Sequence, residues 1–84
     1  MWNCLITFRS ITFVQRGQRV LEDAGIHCTL QRTPRWMEQQ GCGYCLRLRP
    51  EGVHRAVELL RQKNVPLRRV YTGTADGRMR EMEL

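Results

Sequence analysis

Apolar and polar positions alternate along this chain in two different periods. Residues 3–8, Asn3 to Phe8, form a short apolar, β-prone run that predicts a strand. The two-residue period puts Cys4, Ile6 and Phe8 on one face and Leu5 and Thr7 on the other, and apolar residues on both faces predict a central strand. Ser10 is placed to cap a helix on which Val14, Gly17, Leu21 and Ala24 share one face, with Val20 beside them. Gly25 suits a left-handed helix end. Ile26 to Thr33 alternates again, with Ile26, Cys28 and Leu30 together, and Pro34 stops it. A polar loop carrying Trp36 and Met37 leads to a third strand over 43–49, with Cys45 opposite the Leu46 and Leu48 face. Pro50 and Glu51 open a second amphipathic helix through Val53, Ala56, Val57 and Leu60, ending near Asn64. Leu67 to Thr72 reads as a fourth strand.

The order is β-α-β-β-α-β. It predicts an α+β, ferredoxin-like sandwich: a four-stranded antiparallel sheet with two helices on one face. Length supports a single domain, here residues 1–73, followed by a flexible polar tail over 74–84. A chain this short buries only about 60% of its unfolded surface, so the core is thin. No apolar run approaches the ~20 residues that span a bilayer. The first ten residues show no basic stretch followed by an apolar segment and a cleavage site, so the expected location is cytoplasmic, with no membrane partner.

Charge adds one feature. The chain carries 14 basic and 8 acidic side chains, a net +6, and a sequence pI near 9.9. Lys63 is the only lysine, so the excess is arginine, which binds planar anions through two parallel hydrogen bonds. Arg68-Arg69 and the other arginines read as a solvated basic surface. The third strand holds a single aromatic, Tyr44, and does not match the basic-aromatic motif through which four-stranded sheets bind RNA, so nucleic acid is not expected as a partner.

The candidate chemistry centres on Gly41-Cys42-Gly43. Flanking glycines give a thiol unobstructed backbone and N–H groups able to gather around an anion. Arg32, Arg35 and Arg47 are close in sequence, and any that face Cys42 would stabilise its thiolate. Cys42-x-x-Cys45 also has the spacing of a redox or metal pair, although residues three apart in a strand point to opposite faces. Cys4 and Cys28 fall on apolar strand faces and read as core fillers; with His27 and His54 they are the other candidate zinc ligands, and no metal is expected. Glycine-rich phosphate loops, paired carboxylates and Ser/His/Asp arrangements are absent, so the chain is not expected to be an enzyme.

The sequence resembles the selenium/sulfur carrier-like protein family, a small bacterial family. The residues that carry the resemblance are Ile6-Thr7-Phe8-Arg9-Ser10, Leu21-Glu22-Asp23-Ala24-Gly25-Ile26, Pro34-Arg35, and Gly41-Cys42-Gly43 before an apolar strand. Trp36 to Gln40 replaces a shorter, serine-containing stretch, and Cys45 is an additional thiol to which the resemblance assigns no role. The resemblance implies that Cys42 carries sulfur or selenium covalently, between a donor and an acceptor protein, with no resident cofactor. Gly41, Gly43, Arg35 and Cys45 are the expected supporting residues, Cys45 as a resolving thiol. Two other readings stay open from the residues themselves. One is an interaction module, pairing through a sheet face carrying Leu46, Leu48 or Tyr71, as a homodimer or with another protein. The other is a redox or metal protein using Cys42 and Cys45.

Overall fold

The structure, a computed structural model, describes residues 4–33, 43–73 and 79–82. In these residues β1 (Cys4–Thr7), α1 (Ile11–Asp23), β2 (Cys28–Arg32), β3 (Tyr44–Leu48), α2 (Val53–Gln62), β4 (Val70–Gly73) and β5 (Met79–Glu81) follow in order. A 3-10 turn, Pro50–Gly52, leads into α2. The strands form one five-stranded antiparallel sheet in the order β2-β3-β1-β4-β5, giving an α+β protein with two helices among the described residues. No described helix is long and apolar enough to cross a membrane.

β1 is central, as the two-faced apolar pattern predicts. It pairs with β3 on one side, Thr7 opposite Cys45, and with β4 on the other, Ile6 opposite Val70. Its alternate residues feed two clusters. Cys4, Ile6 and Phe8 join Leu46 and Leu48 under both helices, where α1 supplies Val14 and Leu21 and α2 supplies Val53, Ala56, Val57 and Leu60. Leu5 faces the other way and packs with Cys45 and Tyr71, and half-buried Met79 leans on them. Leu46 and Leu48 are thus covered by helices; of the residues named for an open sheet face, Tyr71 alone points to the side away from them. Each fully buried leucine, such as Leu21, Leu46 or Leu60, stabilises the fold by about 1.5–3 kcal/mol.

The helices begin and end where the sequence marks them. The Ser10 hydroxyl accepts the Phe13 N–H at 3.3 Å, which gives one unpaired donor of the first turn a partner. Both helices close with the same pair of bonds. Gly25, at φ +81, donates to the Glu22 carbonyl while Ile26 donates to Leu21. Asn64, at φ 58, donates to Arg61 while Val65 donates to Leu60. This is the Schellman arrangement, and it requires the left-handed conformation that glycine and asparagine adopt most readily.

Two expectations need correction. The sheet has five strands, not four: β5 falls in the segment read as a polar tail. It shows little apolar alternation because its hold is largely backbone pairing, Tyr71 with Glu81 and Gly73 with Met79, extended by the Met82 N–H bond to the Val70 carbonyl at 2.7 Å. β4 begins at Val70, not Leu67. Ahead of it, Thr7 N–H donates to the Arg69 carbonyl, but the Thr7 carbonyl accepts from Arg68, so two residues oppose one as in a β-bulge. The buried Thr7 hydroxyl fills the irregularity, accepting from the Arg69 N–H at 3.1 Å and donating to its carbonyl at 3.3 Å.

Gly17 sets how closely α1 approaches the sheet and α2. A Cβ there would lie 3.1 Å from the tip of the Phe8 ring and 3.3 Å from a Leu60 methyl. Both side chains are fully buried and have little room to give. Gly17→Ala is therefore expected to lower stability by about 1 kcal/mol in urea unfolding, although alanine alone favours a helix interior by a similar amount. A gain in stability would show that this contact yields.

Candidate functional site

The connection between β2 and β3 closes on a defined base. Arg32 is the last residue of β2 and pairs with Tyr44, the first of β3, its guanidinium 5.5 Å from the centre of the tyrosine ring. That pair adds a cation–π contact of about 0.5–1 kcal/mol at an exposed site. One step further, the Thr33 N–H donates to the Gly43 carbonyl at 2.9 Å. Gly43 has φ +85, a conformation that strains any residue bearing a Cβ, although space around it is open. Gly43 is therefore required by backbone conformation. The buried Oγ1 of Thr33, at the same base, has no hydrogen-bond partner among the described residues.

Of the predicted site residues, Gly43 stands at this base and Cys45 two positions into β3. Arg35, Gly41 and Cys42 lie outside the described residues. Cys45 is fully buried, on the face away from the helices with Leu5 and Tyr71. Arg32 remains at the base, whereas Arg47 is exposed further along β3, opposite Leu5.

Arginines stand at both ends of the strands, Arg49 and Arg80 at the end near Cys4. The end of the sheet where β2 stops and β3 starts also holds the end of β1, the bulge at Arg68 and Arg69, and the last turn of α2. Arg9, Arg32, Arg61, Arg68 and Arg69 gather there. Glu22 and Glu51 act at the opposite end, where each raises the pKa of a buried thiol. Sequence reading missed this group of five arginines and the Thr33 and Thr7 hydroxyls, since each depends on strand register.

Two of the remaining thiols are chemically quiet. Cys4 and Cys28 are buried in the main core. Burial pushes the Cys28 thiol from 9.0 up to about 11, with a further rise from Glu22, while its sulfur lies 4.0 Å from the Gln18 carbonyl. Burial also raises Cys4, partly offset by a hydrogen bond with Thr72. Neither thiol offers a thiolate at neutral pH. Among the described residues no group of three or more histidine, cysteine or carboxylate side chains is placed to hold a metal ion.

A thiol whose pKa is raised on folding makes stability depend on pH. Below about pH 9 both folded and unfolded chains keep the Cys28 proton; between 9 and about 11 the unfolded chain loses it first. The urea midpoint should therefore fall as pH rises through this window, and fall less steeply in Cys28→Ala. Equal slopes in the two proteins would remove Cys28 as a source of the effect.

One family model matches residues 3–72 of the 84, and its family is described as "Putative Se/S carrier protein-like". No curated protein and no solved structure matches the chain.

Proposed function

The chain belongs to the Se/S carrier protein-like family, and from that premise we propose that it holds sulfur or selenium on Cys42 and passes it from a donor to an acceptor protein. The observation that carries the reading is the position of Cys42 in the chain. It directly precedes Gly43, whose left-handed backbone and hydrogen bond to Thr33 close a loop base on the edge of a rigid sheet. Cys4, Cys28 and Cys45 are all buried, which leaves Cys42 as the candidate for exchange.

In the transfer, the Cys42 thiolate attacks the terminal sulfur of a donor persulfide. The bond to Cys42 forms as the donor's S–S bond breaks, and the donor cysteine leaves as a thiolate. The acceptor thiolate then attacks the same terminal sulfur and Cys42 leaves in turn. Neither step needs an external oxidant or reductant, and selenium follows the same course when the donor presents it already bound to a cysteine sulfur, as a selenosulfide whose S–Se bond breaks as the bond to Cys42 forms. Arg35 and Arg32 are the nearby cations suited to keeping the sulfur anionic, and the Gly41 and Gly43 backbone admits the partner's sulfur.

The ferredoxin-like reading of the scaffold is supported by the strand order β2-β3-β1-β4 with both helices on one face, β5 being an addition at the edge. On this reading the protein acts in the cytoplasm as a carrier rather than as an enzyme. The edge strands β2 and β5 leave pairing of two copies available. A resolving role for Cys45 requires that its buried sulfur first be uncovered.

Intact mass after incubation with a cysteine desulfurase and either cysteine or selenocysteine tests the reading. Wild type should gain ~32 Da for sulfur or ~80 Da for selenium, reversed by a reducing thiol, and Cys42→Ser should gain neither. No adduct on wild type, or an equal adduct on Cys42→Ser, sinks the proposal. Loading of Cys45→Ser at the wild-type level assigns Cys45 to packing.

A further inference from the structure

β2 is an edge strand, and the register settles which of its backbone groups face outward. The Thr33 N–H donates to the Gly43 carbonyl, so the hydrogen-bonded pairs with β3 are Thr33 with Gly43, Gln31 with Cys45 and Thr29 with Arg47. The backbone groups of Cys28, Leu30 and Arg32 therefore point away from β3, and no described strand pairs with them. These positions are symmetric about Leu30, the middle of the strand. Proline and bulges are common devices that blunt a sheet edge, and β2 has neither: it pairs regularly with β3 over its whole length. The other edge, β5, is shorter and carries Arg80 and Glu81. On the helix side of the β2 edge runs α1. The Gln18 carbonyl lies 4.0 Å from the Cys28 sulfur, and Glu22 is near enough to raise that thiol's pKa. Ile11, Gln15, Gln18 and Glu22 share one stripe of α1 at helical spacing, with Glu22 its only charge. Ile11, 39% exposed, is the exposed large hydrophobic residue among the described ones.

We infer that β2 is the interface of a homodimer: a second copy pairs with it antiparallel, about a twofold axis at Leu30, and the sheet continues from one copy into the other. In this register Leu30 opposes Leu30 of the second copy and Cys28 opposes its Arg32, and each such pair exchanges both N–H···O bonds. Thr29 and Gln31 oppose each other on the far face. What selects a second copy over another extended segment is that β2 supplies its own complement. Glu22 stands beside Cys28, and Arg32 of the second copy arrives opposite Cys28 on the same side of the sheet, so the twofold axis makes the same ion pair twice. Stacking on Tyr44 occupies the flat face of the Arg32 guanidinium and leaves its N–H edge to donate to the carboxylate. These local pairs oppose the general repulsion between two chains of net +6. The stripe of α1 from Ile11 to Glu22 flanks the joint from each copy, with no like charges on it to face one another. Antiparallel pairing sends the two β2 strands in opposite directions. The two loop bases at Thr33 then stand about 20 Å apart, and each remains open to other proteins. The pairing does not rest on the carrier reading; joined to it, the dimer is a pair of separate carrier sites.

Sedimentation equilibrium and NMR hydrogen exchange on the full-length protein test this together. Wild type should approach twice the 9.9 kDa chain mass as its concentration is raised. The amides of Cys28, Leu30 and Arg32 should gain protection with the dimer and lose it on dilution, whereas those of Thr29, Gln31 and Thr33, bonded to β3, keep theirs throughout. Arg32→Glu and Glu22→Arg should each weaken the dimer about tenfold, because by symmetry each substitution acts at both ion pairs. The double variant, Glu22→Arg with Arg32→Glu, should recover most of the loss. Both positions are exposed, and the amide spectrum of each variant checks that it remains folded. Four results would each overturn the inference: a wild type that stays monomeric at millimolar concentration, a dimer that protects the Met79 and Glu81 amides of β5 instead, protection of Leu30 at every dilution, which would mean that the chain covers this edge itself, or a folded double variant no tighter than the single ones. Failure of sulfur loading on Cys42 leaves the pairing standing, and failure of the pairing leaves the loading standing.

Discussion

Cys4, Leu5, Ile6 and Thr7 are all buried, and successive residues go to opposite sides of the sheet. A strand that is covered on both faces and paired on both edges has only one register available, because a slip of one residue would exchange its two faces. The other strands are placed from it, β3 and β4 directly and β2 and β5 through them. The helices sit on the Ile6 side because Cys4, Ile6 and Phe8 extend the apolar faces of Leu46 and Leu48. β3 is fixed by its pairing with β1, and so Gly43, directly before β3, is fixed as well. In a chain with so small a core, the central strand determines where the loop before β3 attaches.

That attachment connects packing to chemistry. The loop enters β3 through a left-handed glycine and leaves β2 beside an arginine stacked on a tyrosine. The same end of the sheet collects arginines from β1, β2, α2 and the bulge before β4, whereas the carboxylates that raise the buried thiols act at the other end. The thiols are divided in a parallel way. Cys4 and Cys28 are held protonated by burial, and Cys45 is closed under Leu5 and Tyr71. A carrier needs one thiol available and the others silent, and the described part of the fold silences three.

Much of the fold was legible in the sequence because two signals were strong. Period-two alternation in β1, β2 and β3 gave the faces of Cys4, Cys28 and Cys45 correctly. Serine and glycine at the ends of α1 marked a cap and a stop that the structure contains. What escaped was held by backbone. β5 depends on pairing with β4, and Met79 and the following Met82 are its apolar contacts among the described residues. The start of β4 was misplaced because Leu67 and Val70 look strand-like on either side of a bulge that only the Thr7 register reveals. At the candidate site, Gly43 was legible as a glycine with a conformational task. Arg35, Gly41 and Cys42 fall outside the described residues, so their roles rest on sequence and family.

The central claim is that Cys42 is the reactive thiol of this chain and the other three are closed off. Native-state alkylation across a range of pH, followed cysteine by cysteine by mass spectrometry, measures this directly. The account predicts that Cys42 reacts first, with a rate that reaches half its maximum below the ordinary thiol value of about 8.5. Cys4, Cys28 and Cys45 should react only once the protein unfolds. Labelling of Cys42 no faster than that of Cys28, or with a midpoint at or above the ordinary value, would contradict it.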